Sequence, residues 1–141
     1  MARLEGDIIG LDLGMARTGV ARISTLAKLA EPLKSIDMKA DFIANLQSVI
    51  ESNNAVAVVA GVPRSLDGIG TDQTKWAESE VQNLKENLRI PVFAIDEAGT
   101  TKKAEELASS MRDDIDSISA CIIAGDFVAE LERGRIDGYS I

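Results

Sequence analysis

The chain is expected to fold as α/β: one mixed five-stranded sheet, part antiparallel meander and part parallel, with helices on both faces. Three features of the 141 residues predict it. Asp7 to Asp37 holds three β-prone stretches joined by very short links. Ala55-Val56-Ala57-Val58-Val59-Ala60 and Pro91-Val92-Phe93-Ala94-Ile95-Asp96 are continuous apolar runs of the kind buried on both faces of a parallel sheet. Segments with apolar residues at helical spacing alternate with these runs. The absence of repeats, low-complexity tracts and linkers implies one domain over residues 1–141.

In chain order, the first strand is expected at about Asp7 to Leu13. Gly14-Met15-Ala16-Arg17-Thr18-Gly19 reads as a tight turn with glycine at both ends. Strands follow at about Thr18 to Ser24 and Ala30 to Asp37. Lys39 to Asn53 presents Phe42, Ile43, Leu46, Val49 and Ile50 at helical spacing, and Asn53-Asn54 stops that helix. The loop Gly61 to Gly70 separates the fourth strand from a helix over about Asp72 to Leu88, which presents Ala77, Val81, Leu84 and Leu88 with Trp76 beside them. After the fifth strand come helices at about Thr101 to Met111 and Asp114 to Glu132, then an irregular tail from Arg133. A meander followed by alternating strands and helices implies a mixed sheet covered by helices. This is the strand and helix order of the ribonuclease H-like fold.

Composition narrows the chemistry. With 23 acidic and 15 basic residues the net charge is −8, which argues against non-specific binding of polyanions but leaves room for a local basic rim or bound divalent cations. The chain has no histidine, so His-containing triads, His-ligated zinc and a His general base are excluded. The single Cys121 excludes an internal disulfide, and its apolar helical setting predicts an inert buried thiol. The opening Met1-Ala2-Arg3-Leu4-Glu5-Gly6-Asp7 carries acids where a signal peptide has its apolar segment, and no run approaches membrane-spanning length. A cytoplasmic protein without a membrane partner is expected.

The stretch with the most chemical content is Ile8-Ile9-Gly10-Leu11-Asp12-Leu13-Gly14. Alternation turns Ile9, Leu11 and Leu13 one way and Ile8, Gly10, Asp12 and Gly14 the other. Gly10 and Gly14 are then expected to keep open the floor beneath a group seated over Asp12. A carboxylate in an apolar strand is costly unless paired or metal-bound, yet alone Asp12 fits a strand terminator equally well. Sites in α/β sheets gather beyond the carboxyl ends of the parallel strands. There the loop Gly61 to Gly70 and the pair Asp96-Glu97 are candidates. Alternation lets only one of that pair reach a shared site, without saying which. Helix capping by Thr100 or Thr101, with acids in the next turn, is the competing reading. Asp116 fits a capping box led by Asp113. Its flank continues into Ala120, Ile123 and Phe127, which sets it at the edge of a buried face.

Three carboxylates from separate parts of the sheet, with no histidine, suit oxygen-ligated Mg²⁺ or Mn²⁺. Such ions stabilise attacking and leaving oxygens in phosphodiester cleavage and lower the pKa of a bound water, replacing a His base. Arg64 and Ser65, in Pro63-Arg64-Ser65-Leu66-Asp67-Gly68, are placed to meet a phosphate, with Arg17, Lys102 and Lys103 as a further basic rim. A surface turn around Asp67-Gly68 and ordinary solvated lysines are the plainer alternatives.

Four blocks in order are similar to the YqgF-type (RuvX-like) family of Holliday-junction-resolvase-like, pre-16S ribosomal RNA nucleases. They are Gly10-Leu11-Asp12-Leu13-Gly14 with Arg17-Thr18-Gly19-Val20-Ala21; Gly61-Val62-Pro63 with Asp67-Gly68; Asp96-Glu97 with Thr100-Thr101-Ala104; and Ile115-Asp116-Ser117-Ile118-Ser119-Ala120. The resemblance implies a ribonuclease H-like fold and metal-dependent phosphodiester hydrolysis. It implies that Asp12, Glu97 and Asp116 are the catalytic, metal-binding acids, and so selects Glu97 over Asp96. It further implies maturation of the 5′ end of pre-16S rRNA, with branched DNA as the other substrate class and a homodimer suited to a symmetric junction. The chain departs from the family pattern where Ala98 and Ala16 stand for basic residues, and where Asp113 and Asp114 precede the last motif. Two other readings compete: a non-catalytic nucleic-acid or protein-binding module on the same fold, favoured by those departures, and a phosphotransferase of the sugar-kinase and actin group. The latter needs a second domain that 141 residues do not supply.

Overall fold

The computed structural model describes residues 4–62, 72–96 and 115–134. Its five-stranded sheet has the order β3-β2-β1-β4-β5. The strands are β1 (Asp7–Asp12), β2 (Arg17–Ser24), β3 (Ala30–Asp37), β4 (Ala55–Val62) and β5 (Val92–Asp96). β1 pairs antiparallel with β2, and β2 with β3, which is the expected meander. β4 lies parallel to β1 on its other side, and β5 parallel to β4. The first strand is therefore the central one.

The helices are α1 (Phe42–Asn53), α2 (Asp72–Asn87) and α3 (Ile115–Glu132). They divide between the faces as strand alternation requires. On one face Ile9, Leu11, Leu13, Val58 and Ala60 pack with Phe42 and Leu46 of α1 and Ala77, Val81 and Leu84 of α2. On the other, Ile8, Ile23, Ala57, Val59 and Phe93 pack with Ile123, Ala124, Phe127 and Val128 of α3. Phe93 and Phe127 stack at a tilt, with ring centroids 5.1 Å apart.

Most differences from expectation lie at element ends, where local hydrogen bonds overrule periodicity. α1 begins at Phe42, not Lys39, because the Asp37 carboxylate accepts the Lys39 N–H (2.9 Å) and its carbonyl the Ala40 N–H (3.2 Å). Asp41 then caps the helix by accepting the Ala44 N–H. Asn54 ends it in the left-handed conformation, φ 50°. The β1–β2 turn is shorter than expected, so Arg17 already belongs to β2 and stands opposite Asp37 of β3. Pro32 is tolerated because β3 is an edge strand. Cys121 is half-buried rather than fully enclosed. The helix expected at Thr101 to Met111 lies outside the described residues. No helix among the described residues is long and apolar enough to cross a membrane.

Candidate active site

Asp12 is the last residue of the central strand and is half-buried. Its lateral partners are Gly19 on β2 and Gly61 on β4. Side chains of laterally paired residues share a face, so neither neighbour brings a side chain to the space beside the Asp12 carboxylate. The two glycines along its own strand behave differently from the expectation. A Cβ on Gly10 would lie 2.8 Å from the Ala120 carbonyl oxygen and 2.8 Å from Ala124 Cβ. Gly10 is therefore the seat of α3, not an open floor. A Cβ on Gly14 would lie 2.3 Å from the Arg17 carbonyl oxygen, so Gly14 is there to close the turn. Neither glycine along the strand therefore opens a space beneath Asp12.

α3 runs antiparallel to β1. Near its carboxyl end, Val128, Leu131 and Glu132 line one groove with Leu4, Glu5 and Thr25, at the start of β1. Ala120 and Ala124 lie over Gly10. Its first turn is thereby carried to the carboxyl end of β1, where Asp12 stands. An independent contact fixes the same level: the buried Ser117 donates its hydroxyl to the Leu33 carbonyl at 2.7 Å. Leu33 pairs with Val20, and Val20 with Leu11. Asp116 belongs to this turn. Ser117→Ala should cost about 1 kcal/mol, the usual net worth of such a bond, measured by urea denaturation.

β5 supplies the next edge. Ile95 stands level with Gly61, which stands level with Asp12. Two inter-strand steps separate Asp12 from Ile95, about 10 Å. Ile95 packs on the α3 side with Phe93, whereas Val92 packs on the other. Asp96 alternates with Ile95 and so falls on the face away from Asp12. Arg17 is exposed at the start of β2, two residues before Gly19, on the rim of this end of the sheet.

Glu97, Arg64, Ser65, Lys102 and Lys103 lie outside the described residues, as does the side chain of Asp116. Among the described residues no group of three or more acids or cysteines is placed to hold a metal ion. What residue-by-residue reading missed is the pairing of Gly10 with Ala120 and Ala124, and the flanking of Asp12 by Gly19 and Gly61. Two alanines four apart on an apolar helix are the signal for a close backbone approach. Nothing in the linear pattern says which strand they meet.

Comparison with known proteins places the chain. A family model described as RuvX: Holliday junction resolvase matches residues 6–130. A candidate pre-16S rRNA nuclease of Orientia tsutsugamushi (strain Ikeda) is 34% identical over 107 residues, covering 75% of this chain and 68% of the relative. A protein of the same description from Roseiflexus sp. (strain RS-1) is 29% identical, covering 91% of this chain and 97% of the relative. Among solved structures, Thermus thermophilus RuvC superposes with a TM-score of 0.64 at 17% identity, covering 92% of this chain and 97% of the other. The fowlpox virus resolvase, solved with Holliday junction DNA, superposes with a TM-score of 0.57 at 10% identity, covering 89% of this chain and 98% of the other. At these identities the structural matches speak for the fold alone: a resolvase-type, ribonuclease H-like α/β sheet. With nearly the whole described sheet and α3 inside the matched span, the chain belongs to the RuvX family of Holliday-junction-resolvase-like nucleases.

Proposed function

We propose that the chain hydrolyses phosphodiester bonds of structured nucleic acid with the help of Mg²⁺ or Mn²⁺, its substrate being the 5′ end of pre-16S rRNA. The observation that carries this reading is the setting of Asp12. It is a half-buried carboxylate at the carboxyl end of the central strand, flanked by Gly19 and Gly61, with the first turn of α3 brought to its level. Oxygen donors without histidine fit a hard divalent cation. Asp12, Glu97 and Asp116 would hold it. Glu97 is supported as the second carboxylate by the resemblance of the Asp96-Glu97 block to the family, and Asp96 itself alternates with Ile95 away from the face of Asp12. Asp116 is supported by its place in the α3 turn that Ser117 ties to β3. The cation supplies Lewis-acid polarisation of the phosphate and an acidified water.

The chain's own part is to orient and neutralise. β1 is braced on both sides by paired strands, so Asp12 is presented on a fixed backbone. Arg17 would neutralise phosphate charge at the rim, with Arg64, Ser65, Lys102 and Lys103 from the neighbouring loops. A cytoplasmic homodimer belongs to the same reading, and light scattering of the purified protein tests the dimer.

The deciding experiment incubates the purified protein with end-labelled pre-16S rRNA and with a four-way DNA junction, in Mg²⁺, Mn²⁺ or EDTA. Cleavage of the RNA near the mature 5′ end, abolished by EDTA, is expected. Binding of either substrate without cleavage in any metal would instead establish the non-catalytic module. The net charge of −8 and the alanines at positions 16 and 98 favour that second reading.

A further inference from the structure

The turn between β1 and β2 displays a side chain that the chemistry above leaves unused. Met15 is 59% exposed, and it follows Asp12 by three residues. Chain geometry holds their Cα atoms within about 11 Å. Isolated exposed apolar residues are common and need no explanation; the position of this one gives it meaning. Among the described residues the other large, strongly exposed apolar side chains are Leu26 and Leu29. Both belong to the β2–β3 loop at the opposite end of β2.

The backbone beneath Met15 is tightly held. Gly14 packs so closely on the Arg17 carbonyl that a Cβ would sit at 2.3 Å. The Ala16 carbonyl accepts the Met38 N–H at 3.0 Å. The fully buried Thr18 donates its hydroxyl to the Met38 sulfur at 3.1 Å. Met15 thus projects from a turn bolted to the end of β3, at the rim where Asp12 stands.

On a nucleic acid, phosphates and sugars are polar, and the large apolar surfaces are the faces of the bases. A paired, stacked base hides those faces, whereas an unpaired one offers them to a protein side chain. A thioether is polarizable and adapts its shape to an aromatic ring. Beside it, Ala16 brings no charge to meet a phosphate, and the chain as a whole is anionic. An apolar contact is the kind that neither repulsion nor salt screening removes. We propose that Met15 is a positioning and specificity residue: it packs on the face of an unpaired nucleobase beside the scissile phosphodiester, and so selects substrates unpaired at that point. This inference rests on the nuclease reading above.

The test compares wild type, M15A and M15L on two RNA substrates that differ only in pairing of the nucleotide flanking the cleaved bond. Met15→Ala should raise KM for the unpaired substrate about tenfold, leave kcat within about twofold, and erase most of the preference for unpaired over paired RNA. Met15→Leu should restore both. In stopped flow, 2-aminopurine at the flanking nucleotide should change fluorescence before cleavage with wild type and M15L, and not with M15A. Circular dichroism confirms that each variant is folded. Unchanged KM, preference and fluorescence in M15A, on RNA that wild type cleaves, overturns the role of Met15 and leaves the nuclease reading standing. Failure of wild type to bind or cleave any of the nucleic acids overturns the nuclease reading, and this inference with it.

Discussion

Asp12→Asn is expected to lower metal-dependent cleavage at least about a thousandfold, a loss of roughly 4 kcal/mol of transition-state stabilisation, while the protein stays folded. Asparagine keeps the size and one oxygen of the side chain, so packing beside Gly19 and Gly61 is undisturbed. What it removes is the negative charge that a hard cation needs. Single-turnover cleavage gives the rate, thermal denaturation the fold, and titration calorimetry with Mn²⁺ the affinity, which should fall in parallel. A variant that cleaves at the wild-type rate would remove Asp12 from the chemistry and leave it a strand terminator.

Gly10→Ala is the second large effect, and it acts through packing. The added methyl would sit 2.8 Å from the Ala120 carbonyl oxygen, 2.8 Å from Ala124 Cβ and 3.4 Å from Ala124 Cα. None of these atoms can rotate aside, so α3 must move as a body. Overpacking of this kind costs about 1–3 kcal/mol, read as a shift in the denaturation midpoint. Because α3 also carries Asp116, cleavage should drop further than the loss of folded protein explains. Adding Ala124→Gly to Gly10→Ala removes one of the two Cβ-level collisions and should recover part of both losses. The recovered energy is a coupling term that independent sites do not show. Equal stability of Gly10→Ala and wild type would mean that α3 does not rest on this glycine.

These two residues also mark how far the sequence could be read. Periodicity located every described element, because a strand buried on both faces and a helix buried on one leave different signatures. It also sorted Ile9, Leu11 and Leu13 from Ile8, Gly10 and Asp12, and the two cores follow that division. Element ends were harder, since they depend on single hydrogen bonds such as those that Asp37 makes to Lys39 and Ala40. The role of Gly10 was misjudged for a different reason. A missing side chain signals either a space or a close approach, and the strand alone cannot distinguish them. The answer lies on α3, at Ala120 and Ala124. Alternation alone left Asp96 and Glu97 inseparable, and only the family resemblance chose Glu97; Phe93 and Ile95 show which face of β5 meets α3 and so turn Asp96 to the other. The absence of histidine pointed to carboxylates as a class, and of these the described structure sets Asp12 at the carboxyl end of the central strand. Its neighbours, contributed by other strands, were not legible in the sequence.

The contact between Gly10 and α3 joins the first strand to the last described helix, Ala120 standing 110 positions after Gly10. The Ser117–Leu33 bond spans 84. Ribosomes add roughly 5–20 residues per second, so β1 exists for about 5–20 s before the partner that covers its Gly10 face has been made. During that interval Ile8, Ile23 and Val59 have no α3 to shield them, and a chaperone or the ribosome surface is the natural stand-in. The same order of events bears on the proposed activity: α3 carries Asp116, so a chain that has not yet reached α3 lacks one of the three proposed metal-binding acids and is expected not to cut.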